Sequence, residues 1–326
     1  MKFFYVYIIC FLSIFFWGCN VLKNAEANRV NPTITEADPT IFSYHEKYYL
    51  YGTSGDKTVN EGIKVYTSED LRNWEGPAGK QSGFALRKGN TFGSKGFWAP
   101  QVFKKRNKFY MAYAANEEIA IASSHSLLGP FVQTFTRPLF NDGFKHIDPF
   151  IVKEGVNYYI YFVKLDQGNK IYVAQLSSDF SGVIAGTEKK CIEATDHWEN
   201  TADSDWPVTE GPAVIKHKGV YYMFYSANDF RNIDYAVGYA TSKSLFGPWK
   251  KSNQNPIISR KNTRYNGTGH GDIFQSNSGQ YYYVLHVHYS NKIVSPRKTA
   301  IMPFEFVPTL SGVDSIKIDN QNFSVL

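Results

Sequence analysis

Cysteine is scarce in this chain, with only three among 326 residues. Cys10 and Cys19 lie in the N-terminal segment, which leaves Cys191 without a partner for an intrachain disulfide. The fold must therefore be stabilised by its hydrophobic core. A composition of 43% hydrophobic and 17% aromatic residues is sufficient for a large core.

The chain also lacks runs of like charge and sustained helical periodicity. Its formal charge of +6 comes from 35 basic and 29 acidic residues spread along the whole length, so we expect no nucleic-acid partner. Between Ala37 and Leu326 no stretch repeats apolar residues at helical spacing. The lack of helical periodicity favours a single all-β domain.

The one long apolar run, residues 1–17, is too short to span a bilayer and begins with a basic residue, Lys2. Residues 1–18 are therefore predicted to be an export signal. Gly18-Cys19 resembles a bacterial lipoprotein processing site, in which Cys19 carries the lipid. The alternative is an ordinary signal peptide with a buried cysteine. Polar residues 19–34 are predicted to form a tether.

This N-terminal pattern predicts where the protein is found. We expect an exported lipoprotein of the periplasm or outer membrane of a Gram-negative bacterium. Its membrane contact would be the lipid on Cys19 alone, and we expect the protein to be a monomer.

From Ala37 onward a unit of a short apolar strand, a polar turn and an aromatic strand recurs five times. The first strands start at Pro39, Pro100, Pro149, Pro212 and Asp272, and the aromatic strands are 48–51, 109–113, 158–161, 221–225 and 281–285. A third apolar strand follows each pair, at 63–66, 119–122, 171–174, 236–239 and 299–302. Residues 127–131 and 245–249 almost repeat, and each is expected to lead into a fourth strand.

The units begin 49 to 63 residues apart, which is the period of a propeller blade. Residues 35–326 are therefore predicted to form one five-bladed β-propeller, with antiparallel strands in each blade around a central channel. The first strand of each blade would line the channel, and the five first strands would run in the same direction. Residues at their starts would meet at one shared mouth.

Three carboxylates stand at such strand starts: Asp38, Asp148 and Glu210. Proline follows the two aspartates, so we expect them to be extended, whereas Gly211 separates Glu210 from its proline. Clustered carboxylates repel one another, which raises the pKa of at least one of them. A protonated acid beside an ionised carboxylate is the pair that hydrolysis of a glycosidic bond requires.

In this order and spacing the motifs resemble glycoside hydrolase family 43, the five-bladed propellers that include α-L-arabinofuranosidases, β-xylosidases and arabinanases. The resemblance covers residues 37–306. It implies an inverting mechanism in which Asp38 is the general base, Glu210 the general acid, and Asp148 the residue that orients the acid and raises its pKa.

The resemblance also implies substrate and cation contacts. Arg297 would hold a substrate hydroxyl, and His270 would lie on the channel axis, near a bound cation such as calcium or simply as a hydrogen-bonded histidine. No cofactor is expected to be required. From their positions near the mouth, Trp98 and Trp206 are candidates for stacking on a sugar, and Asn228 for a contact at the rim.

The expected activity is removal of terminal α-L-arabinofuranose or β-D-xylose from plant cell-wall polysaccharides or oligosaccharides. Segments 81–97 and 196–207 are long enough to build walls around a pocket, which favours this exo action over an endo-arabinanase. A propeller that binds surface glycans without turnover is the alternative from another class. Retention of all three carboxylates argues against it.

Overall fold

The computed structural model describes residues 1, 33–134 and 136–326, and residues Thr33–Leu326 form one compact unit. The predicted export signal, the lipidation site Cys19 and residues 19–32 of the predicted tether lie outside the described residues, apart from Met1. Ile34, at the end of that tether, is buried. None of the helices in the described part is both long and apolar enough to cross a bilayer.

Strands of the described residues form five antiparallel sheets, one for each blade. Blade 1 contains β1 (Glu36–Tyr44), β2 (Lys47–Ser54), β3 (Gly62–Ser68), β4 (Trp74–Glu75) and β5 (Phe84–Arg87). Blade 2 contains β6 (Trp98–Lys105), β7 (Lys108–Ala115) and β8 (Glu118–Ser124). Blade 3 contains β9 (Lys145–Glu154), β10 (Asn157–Leu165), β11 (Asn169–Gln175) and β12 (Lys189–Ile192).

Blade 4 contains β13 (Thr209–His217), β14 (Val220–Ala227), β15 (Ala236–Ser242) and β16 (Lys250–Lys251). Blade 5 contains β17 (Gly269–Gln275), β18 (Tyr281–Val287), β19 (Lys298–Val307), β20 (Ser315–Ile318) and β21 (Ser324–Val325). Helical segments of the described residues are short: 3-10 turns at Lys57–Asn60, His197–Glu199 and Asn320–Asn322, and one α-helical turn at Arg260–Thr263.

The first strands of the blades form a closed ring, because β1 contacts β6, β6 contacts β9, β9 contacts β13, β13 contacts β17, and β17 returns to β1. This confirms the five-bladed propeller. The ring is joined in blade 5, where the amide of Ile34 donates to the Leu326 carbonyl at 2.9 Å and the amide of Thr299 donates to the Ile34 carbonyl at 3.0 Å. Both ends of the described domain are thus tied to β19.

One local expectation was wrong. Residues 127–131 do not lead into a regular fourth strand in blade 2, because Val132 makes only an isolated bridge to Ser123; the matching segment of blade 4 does lead into β16. Segment 81–97 is divided between two places, because the end of the segment lies beside the mouth, where a Cβ on Gly96 would be 2.9 Å from the Trp98 ring. Part of it is β5, which pairs with β3 at the edge of blade 1.

The hydrophobic core lies between neighbouring blades, where aromatic side chains of the second strands pack. Two buried tyrosines also join blades by hydrogen bonds. Tyr51 of blade 1 donates to the Leu127 carbonyl of blade 2, and Tyr161 of blade 3 donates to the Leu245 carbonyl of blade 4, each at 2.6 Å. In both Leu-x-Gly-Pro segments the leucine carbonyl therefore accepts a hydrogen bond from the preceding blade. This shared structural role explains why the two segments are nearly identical.

Removing either of these hydroxyls should destabilise the propeller. We expect Tyr161→Phe to lower the free energy of unfolding by about 1–2 kcal/mol, because the buried Leu245 carbonyl then has no donor. Tyr51→Phe is the matched change at the other junction and should cost a similar amount. Denaturant unfolding of both variants measures the effect, and two unchanged midpoints would show that these bonds add nothing to stability.

Candidate active site

The five first strands share one backbone feature near the mouth. The pairing of each with its second strand shifts register there, and one residue at the shift has a positive φ. These residues are Asp38 (47°), Ala99 (44°), Asp148 (56°), Gly211 (58°) and His270 (40°). The expectation that Asp38 and Asp148 are extended was therefore wrong, because a β-bulge overrides the preference that the following proline imposes.

The bulge explains why the glutamate stands one residue earlier than the aspartates. Asp38, Asp148 and His270 occupy the bulge itself, and their side chains converge: Nδ1 of His270 lies 3.4 Å from Oδ1 of Asp38 and 3.8 Å from Oδ2 of Asp148. In blade 4 that position is Gly211, where a Cβ would lie 2.8 Å from the His270 ring. A carboxylate in blade 4 must therefore come from the residue before the bulge, Glu210.

A pocket of about 440 Å³ opens over the three carboxylates. Four of the five predicted substrate-binding residues line it: Trp98, Trp206, His270 and Arg297. The other lining residues are Asp38, Glu117, Ile147, Asp148, Leu165, Asn169, Val208, Glu210, Asp229, Phe230 and Arg231. The pocket therefore brings together side chains from all five blades.

Asp38 is buried among hydrogen-bond donors. Arg297 Nη1 donates to its Oδ1 at 2.9 Å, and the Thr53 hydroxyl donates to its Oδ2 at 2.7 Å. His286 Nδ1 lies 3.3 Å from Oδ1. Burial alone would raise the pKa of Asp38, but the Arg297 guanidinium, with His270 and His286, holds that pKa well below its usual value. Asp38 is an ionised carboxylate at neutral pH.

Glu210 has the opposite electrostatic environment. Burial raises its pKa to about 7, against hydrogen bonds from the Tyr235 hydroxyl (2.8 Å to Oε1) and the Asn169 amide (2.9 Å to Oε2), while the charge of Asp38 adds to the rise. The pKa of Asp148 is also raised well above its usual value, by burial and by the charges of Glu210 and Asp38. The buried pair Asp148 and Glu210 thus retains a proton near neutrality.

Asp148 is placed to affect Glu210 through the backbone as well as through charge. Its Oδ2 accepts a hydrogen bond from the amide of Gly211 at 3.2 Å, and Gly211 directly follows Glu210. This contact joins blade 3 to blade 4 beside the acid. The geometry agrees with a residue that orients Glu210, and that role stays a prediction.

His270 is buried and lines the narrow channel between the five first strands, and burial lowers its pKa. Its backbone amide donates to the Ser226 hydroxyl at 2.7 Å. In the described part of the chain no group of three or more His, Cys, Asp or Glu side chains is placed to hold a metal ion. The carboxylates of Asp38 and Asp148 lie within 4 Å of its ring.

Asn228, predicted to reach the rim, lies behind the pocket wall. It is buried with φ at 72°, its Oδ1 accepts from the amide of Thr201 at 2.8 Å, and its Nδ2 donates to the carbonyls of Trp198 and Asp234. These bonds connect the segment that leads to Trp206 with the loop that leads to Tyr235. Asn228 therefore stabilises the wall and does not face the pocket.

Sequence reasoning missed four residues that contact the carboxylates: Thr53, Asn169, Tyr235 and His286. Thr53 and His286 had a usable signal, because they are polar residues near the ends of apolar second strands. In an antiparallel hairpin the end of the second strand lies beside the start of the first. Asn169 and Tyr235 lie close to strand starts, outside the repeat of acids, and no local pattern identifies them.

The arrangement therefore contains an ionised carboxylate, a carboxyl group that keeps its proton near neutrality, and a pocket with two tryptophans. An ionised carboxylate can take a proton from water, and a protonated one can give a proton to a leaving oxygen. Together they are suited to acid–base hydrolysis of a glycosidic bond.

Comparison with known proteins agrees with this chemistry. The sequence model described as Glycosyl hydrolases family 43 matches residues 30–309. A xylosidase/arabinosidase 43B from Humicola insolens is 25% identical over 270 residues, which are 76% of this chain and 46% of that protein. The chain thus spans about half the length of this relative.

Solved structures are also similar. One described as an endo-1,4-β-xylanase from Bacteroides thetaiotaomicron has a TM-score of 0.79 and 38% identity, and the match covers 87% of this chain and 95% of that one. Another, described as a thermostable family-43 glycoside hydrolase, has a TM-score of 0.77 and 36% identity. This match covers 88% of this chain and 95% of that one.

Proposed function

This chain belongs to glycosyl hydrolases family 43, and from that membership we propose that it is an inverting glycosidase that removes terminal α-L-arabinofuranosyl or β-D-xylosyl units from plant cell-wall polysaccharides. The observation that carries the proposal is the opposite electrostatic environment of two carboxylates in one pocket. Arg297 keeps Asp38 ionised, whereas burial raises the pKa of Glu210 to about 7.

The proposed reaction is a single displacement. Asp38 takes a proton from a water molecule, whose oxygen forms a bond to the anomeric carbon as the glycosidic bond breaks. Glu210 gives its proton to the departing oxygen, so the leaving group departs as an alcohol. This step leaves Asp38 protonated and Glu210 ionised. Asp38 then releases its proton to solvent and Glu210 takes one up, which returns both carboxyl groups to their starting states.

The remaining pocket residues hold the sugar in this scheme. Arg297 lies against Asp38 and over the ring of Phe230, with 4.5 Å from the guanidinium carbon to the ring centroid. That position fixes a cationic donor beside the base, where a sugar hydroxyl can accept from it. Trp98 and Trp206 line the same pocket and offer aromatic surfaces for sugar rings.

Exo action is supported by the hydrogen-bonded wall that carries Trp206. Buried Glu199 accepts hydrogen bonds from Tyr225 at 2.7 Å and from the amides of Thr195 and Asp196 at 2.7 and 2.9 Å, and pairs with Lys251. Together with Asn228, this anchor holds segment 196–207 in place. A fixed wall favours a pocket that accepts a chain end.

Endo action is the second candidate. It is favoured by the similarity to the structure described as an endo-1,4-β-xylanase, at 38% identity over 87% of this chain. An endo-acting enzyme, whether on xylan or on arabinan, would bind the polysaccharide across the mouth and release oligosaccharides.

One set of assays tests the proposal. Aryl α-L-arabinofuranoside and aryl β-D-xyloside are compared side by side, followed by linear and branched arabinan and arabinoxylan. We expect release of single sugars, and proton NMR of the first product should show the anomer opposite to that of the substrate. Early release of oligosaccharides would support the endo candidate, and retained configuration would contradict inversion. Binding of these glycans without turnover would indicate a glycan-binding protein.

Replacing Arg297 should shift the acid limb of the pH–activity profile. The pKa of Asp38 is held low, and activity is lost as pH falls through it because the base becomes protonated. Arg297→Gln removes the charge that does most to lower the pKa of Asp38 against the effect of burial. Because the pKa of Asp38 then rises, the acid limb should move to higher pH by about one unit or more. The profile of kcat/KM measures the shift.

The control is Arg106→Gln, which removes the same charge from an exposed turn between β6 and β7. Its acid limb should coincide with that of the wild type. An Arg297→Gln protein with an unshifted acid limb would mean that Arg297 does not set the protonation of the base.

A further inference from the structure

A chain of hydrogen bonds links an exposed tryptophan to the candidate acid. Trp206, 46% exposed, donates its indole Nε1–H to Asn169 Oδ1 at 2.9 Å. Asn169 in turn donates from Nδ2 to Oε2 of Glu210 at 2.9 Å. Sugar stacking alone would not require the first of these bonds.

The donor and acceptor in each of these hydrogen bonds follow from the chemistry of the three groups. An indole nitrogen is a donor only, so the atom that it contacts must be the amide oxygen. The amide nitrogen must then face Glu210. Without the indole N–H the two ends of the amide could exchange, and the oxygen could accept the proton of a protonated Glu210.

The backbone of Asn169 is held in place by contacts that do not involve the Trp206 side chain. Its amide donates to the Pro207 carbonyl at 2.9 Å, and its carbonyl accepts from the Thr209 hydroxyl at 3.0 Å. A Cβ on Gly168 would lie 2.7 Å from the Pro207 oxygen, so only glycine permits this close approach of blades 3 and 4. Backbone contacts thus fix where the amide lies and leave its orientation to the side-chain bonds.

We propose that Trp206 is a positioning residue that locks the Asn169 amide with its N–H group toward Glu210, and thereby sets the protonation of the acid. This inference rests on the proposed function, because it gives Trp206 a role in the same site beyond sugar stacking. A donor aimed at Oε2 favours the carboxylate form, so the lock brings the acid to a state from which it releases its proton readily.

Other groups also face Glu210, and the test must separate their effects from that of the lock. Tyr235, from the loop before β15, donates to Oε1 at 2.8 Å. The charges of Asp38 on β1 and of Arg297 before β19 act on it, Asp148 on β9 is its carboxylate neighbour, and His270 on β17 lies beside Asp38 and Asp148. All five stay unchanged in the variants below.

The experiment measures the basic limb of the kcat/KM profile, where activity is lost as Glu210 gives up its proton. Trp206→Phe keeps an aromatic ring but removes the N–H, and Asn169→Leu removes the donor itself. Each should move the basic limb to higher pH by about one unit, since a hydrogen bond to a charged group is lost. The double variant should show no further shift, because both changes break the same chain.

Trp98→Phe is the matched change at the other tryptophan of the pocket. It alters rate constants through stacking and should leave the basic limb in its wild-type position. An unshifted limb in Trp206→Phe with only a higher KM would overturn the lock, and so would shifts that add in the double variant. If Trp206→Phe does not fold, the basic limb of Asn169→Leu is compared with that of the wild type. An unshifted basic limb in Asn169→Leu also overturns the proposal.

A second readout does not depend on turnover. The carboxyl carbon of Glu210, identified in 13C-glutamate-labelled protein by its absence in Glu210→Gln, titrates at higher pH in Trp206→Phe if the lock operates and at the wild-type pH if it does not. A wild-type protein that hydrolyses none of the substrates would overturn the proposed function, whereas this titration would still decide the lock.

Discussion

Glu210→Gln should hydrolyse arabinan, arabinoxylan and alkyl glycosides on the order of 10²–10⁴-fold more slowly than the wild type, which is the usual contribution of a general acid. Glutamine has nearly the same shape and can keep the contacts to Tyr235 and Asn169, but it has no acidic proton for the leaving oxygen. Sugar binding should therefore survive, and isothermal titration with the reaction product measures it.

The size of the loss should depend on the leaving group. A dinitrophenolate departs without protonation, so Glu210→Gln should hydrolyse the dinitrophenyl glycoside at a rate much closer to that of the wild type than it does the alkyl glycoside. Glu69→Gln, the same change at an exposed position, should match the wild type on both. Undiminished hydrolysis of alkyl glycosides by Glu210→Gln would remove Glu210 from the mechanism.

The repeat made the propeller predictable because each blade carries the same order of strands in a similar length of chain. That order places the start of every first strand at one mouth, and Asp38, Asp148 and Glu210 do lie in one pocket. The offset of Glu210 was visible as the inserted Gly211. Its cause was not, because the contact of Gly211 with the His270 ring joins blades 4 and 5.

Backbone conformation at the carboxylates could not be predicted from neighbouring residues. A residue before proline normally avoids both helical regions, yet Asp38 and Asp148 have φ values of 47° and 56°. The bulge in each first strand places one extra residue opposite the second strand, and cross-strand pairing holds it there. Longer-range pairing thus decided the conformation against the local preference.

The residues that set the acid's environment were harder still to predict. Asn169 begins β11 in blade 3, and Tyr235 directly precedes β15 in blade 4, so both reach Glu210 from outside the first strands. For Asn228 the error was the opposite one, because a contact with the pocket was predicted that the structure does not contain. Its place in a polar loop suggested a rim contact, but asparagine also tolerates positive φ, and here that conformation serves the hydrogen bonds that hold the wall.

Asp38→Asn should reduce hydrolysis on the order of 10²–10⁴-fold, and by a similar factor for every leaving group. The amide oxygen of asparagine can accept the hydrogen bond from Arg297 and its NH2 group can donate to the Thr53 hydroxyl, but asparagine cannot take a proton from water. Attack by water is required however well the leaving group departs.

The ratio of dinitrophenyl to alkyl glycoside rates therefore separates the two carboxylates. It should rise in Glu210→Gln and stay near the wild-type value in Asp38→Asn, with the exposed Asp179→Asn as the matched control. Asp38→Asn should also lose the acid limb of the pH profile, since the group whose protonation ends activity at low pH is gone. If the dinitrophenyl substrate restored a wild-type rate in Asp38→Asn, Asp38 would not be the base, and the water would have to be activated by another group.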